Sequence, residues 1–320
     1  MKAIRVKQFG GPEVLEVEEV PVPIPGPGQV LVRVFAAGVN PVDTYIRAGI
    51  FPSKPRLPYT PGMDGAGEIA GMGRGVRGLK LGMHVYITAS LSGTYAGYAI
   101  CDPSGIQPLP RGISYEQGAA IGIPYATAWQ ALFHKGQARR GETVLIHGAS
   151  GGVGIAAIQT ARLAGLRVLA TAGSSSGLRL VKKQGAHAVF NHCKKGYLEK
   201  VMASTRGRGV NLILEMLANV NLERDLNLLS MRGRVVVIGC RGTVEINPRL
   251  MMGRDSSVTG MLIFNATENE KKKIFLAIHR GLKSKKLWPV IGKKMRLTHA
   301  VQAHRQIMNG PAAGKMILIP

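Results

Sequence analysis

Residues 143–165 run from the apolar segment TVLIH through HGASGGVG (147–154) into IAAIQTARLAG, and no other stretch constrains the fold as much. Gly148, Gly151, Gly152 and Gly154 fall within eight positions. Between a strand and a helix, glycines so placed allow a tight turn, close approach of backbone amides to a pyrophosphate, and packing of the helix on the strand. Five more apolar segments follow: LRVLATA (166–172), AHAVFN (186–191), VNLILEM (210–216), GRVVVIG (233–239) and SVTGMLIF (257–264). Helical stretches such as SGLRLVKKQG and NLERDLNLL separate them. Six apolar strands with helical crossovers predict an α/β fold with a doubly wound parallel sheet that binds a dinucleotide.

The preceding third reads differently. KAIRVKQF, VLEVEEV, QVLVRVFAAGV, GAGEIAGMG and HVYITA are short strands broken by Gly and Pro, and PVPIPGPG (21–28) cannot be helix. A compact β-rich domain, such as a partly open barrel, is expected over residues 1 to about 120. Residues 112–133 are helical in period, and the final GKMILIP is expected to return to the first domain. A chain of 320 residues, 45% hydrophobic, can bury two cores.

Composition narrows the function classes. No apolar run approaches the roughly 18 residues of a membrane span, and the first residues lack a signal-peptide pattern, so a soluble, cytoplasmic protein is expected. Cys101, Cys193 and Cys240 are far apart, which argues against a disulfide framework and a Cys-x-x-Cys metal site. The net charge of +24 favours phosphate-bearing ligands, nucleic acid or an anionic surface. The excess is uneven, since residues 271–320 contain no Asp or Glu.

The dinucleotide is read from the end of the second strand. An NAD site places an acid about 20 residues beyond the glycines to hold the ribose hydroxyls. Here that stretch is ATAGSSSGLR (170–179), and no acid occurs before Glu199. Small hydroxyl residues followed by Arg179, Lys182 and Lys183 suit a 2′-phosphate, so NADPH is the expected cofactor, with Lys183 on a solvated helix face.

The motifs GGPEVL, GVNPVDTYIRAG, LPYTPGMDGAGEI, GAAIGIPYATAW, HGASGGVG, EMLANVNL, RGTVEINPR and GKMIL resemble the zeta-crystallin type of quinone oxidoreductase, in the medium-chain dehydrogenase/reductase superfamily. The resemblance covers essentially the whole chain. It implies a GroES-like catalytic domain over 1–122, completed by 266–320, a Rossmann domain over 123–265, and NADPH in the cleft between them. Zinc alcohol dehydrogenases of the superfamily carry a cysteine where this chain has Asn40 and a histidine where it has Met63. Amide and thioether are poor zinc ligands, and the structural-zinc cysteine lobe is missing, so no metal is expected. Without a Lewis acid, the acceptor must already be electron-poor. The resemblance implies a quinone, reduced one electron at a time to the semiquinone. Alternatives are an enal or enone double-bond reductase with Tyr45 as proton donor, and binding of RNA with AU-rich elements as a second function. A homo-oligomer, tetramer or dimer, is also implied.

The resemblance assigns individual residues. Tyr45 lies beside the nicotinamide, with Asn40 and Thr127 positioning the acceptor. Ser150, Gly151, Gly152 and Val153 contact the pyrophosphate. Gly173 and His192 match the adenosine-phosphate region, and Arg179 substitutes for a lysine that relatives carry where this chain has Gly177. Asn221, the turn Ile238–Gly239–Cys240–Arg241, and Met261, Leu262 and Ile263 match nicotinamide-side contacts. Asp43 and Asp64 read as turn and network residues rather than proton donors.

Overall fold

The computed structural model describes all 320 residues. They divide into two compact units, Met1–Ile123 with Pro289–Pro320, and Pro124–Trp288.

The second unit is built on six parallel strands in the order Ala188–Asn191, Arg167–Ala172, Thr143–Ile146, Val210–Glu215, Leu229–Val237, Ser257–Gly260. Strand order reverses between Thr143–Ile146 and Val210–Glu215, as in the Rossmann arrangement. Register explains why the strands are near-continuous apolar runs. Leu169, Leu145, Ile213, Val235 and Val258 are aligned partners across five neighbouring strands, and the first four are fully buried. A sheet covered by helices on both faces has no polar side to offer. Helices Gly152–Leu163, Ser175–Lys183, Tyr197–Ser204 and Ala218–Leu228 make the crossovers. The last strand ends at Gly260, short of the expected 264. After the Met261 N–H bonds to the Val237 carbonyl, the chain leaves the sheet and forms the 3-10 turn Ile263–Asn265.

The first unit contains a two-stranded pair, Lys2–Arg5 with Glu16–Glu19, and a seven-stranded sheet around the long strand Val30–Val39. That strand pairs with Asp64–Met72, Tyr98–Cys101 and the C-terminal strand Lys315–Ile319, all antiparallel. Val32, Val34, Ile69, Val85, Ala303 and Leu318 form part of its core.

The unit boundary differs from the one expected. Residues 266–288 belong with the second unit rather than the first. They contain the helix Glu268–Lys283, capped by Thr267 and Glu270, which buries Ile274, Ile278 and Leu282. Glu270 also lies 3.5 Å from His134 Nδ1 of the same unit. The helix advertises its basic face in sequence, while the surface that receives its apolar face is set by packing alone. The stretch 112–133 is likewise not one helix: it holds Tyr115–Gly118, then Gly122–Trp129, which runs into a π-helical turn, Gln130–Lys135.

Candidate functional site

Parallel strands end on the same edge of a sheet, so residues that immediately follow them gather there whatever their separation in sequence. His147–Gly151 follow the first strand, Gly173 the second, His192 the third, Met216–Leu217 the fourth, Ile238–Arg241 the fifth and Met261–Ile263 the sixth. Every residue of this unit assigned to the cofactor, apart from Arg179 and Asn221, lies in or at the start of one of these segments or in the first helical turn.

The glycine loop is shaped for close approach. Gly148 has φ +54°, and a side chain on Gly154 would overlap the backbone of Ala149. Gly151 is the N-cap of Gly152–Leu163 and brings no capping side chain, so the first-turn amides face outward without a protein acceptor supplied by the cap. Val153 occupies that first turn, and Ser150 is buried at 4% exposure. At the second strand end, Gly173 is exposed, and a Cβ there would sit 2.8 Å from His192 Nε2 and 3.3 Å from Cys193 Sγ. Gly173 and His192 are therefore neighbours. A Cβ on Gly177 would meet Ser150 Oγ at 3.2 Å, and its N–H donates to the cap Ser174. Arg179 is exposed and lines an open groove of about 460 Å³ with Leu178, Lys182, Lys183 and Val189.

Behind the loop lies a buried polar cluster that sequence reading missed. His147 Nε2 is 2.8 Å from Asp225 Oδ1 and 3.7 Å from Glu215 Oε2, with all three residues at 2% exposure or less. Burial lowers the His147 pKa, so the ring is neutral, although Glu215 opposes that shift. Its Nε2–H then donates to Asp225, and Nδ1 accepts from the Thr171 hydroxyl at 3.3 Å. The same hydroxyl receives the Gly148 N–H and faces His192 Nδ1. Burial raises both Glu215 and Asp225 to about 7. Glu215 Oε2 and Asp225 Oδ2 have no donor as carboxylates, and one proton shared between them satisfies both. Ligand atoms of the three side chains lie within 4.8 Å of one another, so the trio also has the composition of a metal site.

Glu215 joins this cluster to the surface loops. Its Oε1 accepts from Leu217 N and from Asn221 Nδ2, and its backbone carbonyl accepts from Ile238 N and Gly239 N. Asn221 is thus a partner of Glu215. Arg241 N is held by Asn219, while Cys240 is exposed with its thiol 2.9 Å from the Gly242 carbonyl. The signal in sequence was an acid closing an apolar strand, VNLILE, and a histidine opening the glycine loop.

In the first unit, Asn40 ends the strand Val30–Val39 and precedes the helix Pro41–Arg47, which carries Tyr45. Asn40 is 3% exposed, and Tyr45 is half-buried. Lys315 Nζ donates to Asn40 Oδ1 at 2.5 Å and to Asp64 Oδ2 at 2.7 Å, and Asn40 Nδ2 donates to Asp64 Oδ2 at 3.0 Å. Asp43 Oδ2 accepts from Asn40 N and from Tyr95 OH, and burial raises Asp43 to about 7. Both acids are network residues. Thr127 lies in the second unit, 5% exposed.

A zinc ion at Asn40 does not fit these residues. The amide oxygen already accepts from an ammonium, which would repel a cation, and Met63 supplies only a thioether.

Residues 152–278 match the family model described as zinc-binding dehydrogenase, and residues 26–115 match the alcohol dehydrogenase GroES-like domain. The quinone oxidoreductase of Rattus norvegicus is 50% identical over 100% of this chain and 98% of its own. That of Homo sapiens is 48% identical over the same shares. Among solved structures, Escherichia coli quinone oxidoreductase complexed with NADPH is 28% identical with TM-score 0.91, covering 100% of both chains. A structure described as an NAD-dependent alcohol dehydrogenase is 32% identical with TM-score 0.92, also covering 100% of both.

Proposed function

This chain belongs to the quinone oxidoreductases of the medium-chain dehydrogenase/reductase superfamily, and from that premise we propose that it oxidises NADPH with quinones as acceptors and without zinc. The observation that carries the reading is the strand-edge site: an uncapped helix start beside the glycine loop, and no carboxylate at the end of the second strand.

NADPH, when bound, supplies the reducing equivalents. The amides of Gly152 and Val153, with Ser150, hold its pyrophosphate. Gly173 and His192 border the adenosine, and Arg179 with Lys182 offers cationic donors to the 2′-phosphate. The loops anchored through Glu215 border the nicotinamide. Asn40 and Tyr45 position the acceptor.

The side chains around Asn40 favour an electron-poor acceptor. Both oxygens of Asp64 are committed, to Lys315, Asn40 Nδ2 and Ile123 N, so it cannot donate a proton to a simple ketone, and Asp43 is only 2% exposed with its Oδ2 held by Asn40 N and Tyr95. A quinone needs no such donor as electrons arrive, because its ring delocalises them.

The test follows nicotinamide absorbance with NADPH or NADH after exhaustive chelation, against an ortho-quinone, an enal and a primary alcohol with the oxidised cofactors. Quinone-driven oxidation of NADPH, slow with NADH and indifferent to chelator, is the expected result. Turnover with the enal alone makes the chain a double-bond reductase, and chelator-sensitive alcohol oxidation with NAD makes it an alcohol dehydrogenase. Cytochrome c reduction during quinone turnover reads whether electrons leave singly.

A further inference from the structure

The buried contacts of Asn40 settle which way its amide points. An ammonium can only donate and a carboxylate can only accept. With Lys315 Nζ 2.5 Å from one amide atom and Asp64 Oδ2 3.0 Å from the other, the first must be oxygen and the second nitrogen. Exchanging them would set N–H against ammonium and carbonyl against carboxylate, both buried. Asp64 is pinned as well, since its Oδ1 accepts from Ile123 N at 2.8 Å.

The fold makes room for this arrangement. Lys315 begins a strand whose other residues are apolar, and it is only 4% exposed. Its stem passes over Gly38, where a Cβ would come within 2.8 Å of Lys315 Cε and 2.9 Å of Asp64 Cβ. A buried ion pair is a poor device for stability, because apolar residues of similar volume often serve as well or better. Its orienting effect is specific.

We propose that Lys315 is a positioning residue for quinone reduction. By fixing Asn40 Oδ1 on its own side, it leaves the second Nδ2 hydrogen as the one donor that side chain can present to the acceptor's carbonyl oxygen. It also neutralises Asp64, so no bare carboxylate faces the oxygen on which negative charge develops. This rests on the quinone-reductase reading given above. Lys315 acts through Asn40 and does not itself touch the acceptor.

The test is a cycle on the full chain. Lys315→Met together with Asp64→Asn removes the orienting charges and keeps the interior neutral, and the pair is made with Asn40 intact and with Asn40→Ala. With Asn40 intact, kcat/KM for an ortho-quinone falls about tenfold or more, less than the roughly hundredfold or greater loss when a transition-state donor is removed outright, because the amide is misoriented rather than deleted. In the Asn40→Ala background the same pair changes it less than about twofold, as expected for coupled residues. The Kd for NADPH stays within about twofold in every variant. Equal losses in both backgrounds, or no loss with Asn40 intact, overturn the proposal. A second readout needs no turnover: in asparagine-labelled protein, the wild-type Asn40 Nδ2 protons are inequivalent, one protected from exchange by Asp64. Two wild-type protons exchanging equally fast overturn it whether or not the variants fold. Absent quinone turnover by the wild type refutes the functional reading instead, and leaves the amide orientation to be judged by this second readout.

Discussion

Replacing Glu215 by Gln isolates the proton shared beneath the glycine loop. Gln keeps an oxygen for Leu217 N and Asn221 Nδ2, and its Nε2 puts a permanent donor where Oε2 carried the proton toward Asp225. The hydrogen-bond pattern survives while the titration disappears. In the native chain Glu215 is raised from 4.5 to about 7, by burial first and then by Asp225. Asp225 is raised by its own burial while its hydrogen bond with Glu215 lowers it, and because the two acids titrate as a pair only one proton is counted. Between these limits the native state binds more protons than the unfolded state, so unfolding free energy falls as pH rises. The contribution is complete below 4.5 and lost above about 7. At about 1.4 kcal/mol per pH unit, the window is worth about 3 kcal/mol. His147 and Asp43 also titrate, but they remain in both proteins and largely cancel in the difference. Urea unfolding of wild type and Glu215→Gln in buffers from about pH 5 to about pH 8 measures it. The wild type loses stability relative to the variant across that range by a few kcal/mol. A difference that is constant with pH, or that grows in the wild type's favour, refutes the shared proton.

Three other outcomes follow from single contacts. Arg234 spends all five N–H donors, on both oxygens of Glu142 and on the carbonyls of Gly136, Asn211 and Gln137. Arg234→Lys breaks that fork and lowers unfolding free energy by about 2 kcal/mol in urea titration, with NADPH affinity unchanged. Gly173→Val pushes on the movable His192 ring and fills exposed space at the strand edge, so the Tm moves by only a few degrees while NADPH binding weakens about tenfold or more in fluorescence titration. Thr171→Val leaves the Gly148 N–H and His147 Nδ1 without their shared hydroxyl, costing about 1–3 kcal/mol in urea unfolding and loosening the loop in amide exchange.

The parallel sheet and its ligand edge were legible because both are local patterns. Strand–glycine–helix adjacency, apolar runs, and the missing acid after the second strand can all be read along the chain. The return of GKMILIP beside Val30–Val39 needed one further inference, that an apolar strand must find a sheet. What tertiary structure alone decided was the partner of each buried polar group. Lys315 and Asn40 are 275 positions apart, and His147 and Asp225 are 78 apart, and nothing along the sequence ties either pair together. A lone lysine in an apolar strand, or an acid ending one, signals in sequence only that burial must be compensated. Which residue compensates it depends on sheet register and on which strand edges meet, and those are settled only when the apolar faces pack. Helix Glu268–Lys283 makes the same point for apolar contacts: its basic residues are visible along the chain, but the surface that receives its apolar face exists only in the folded unit.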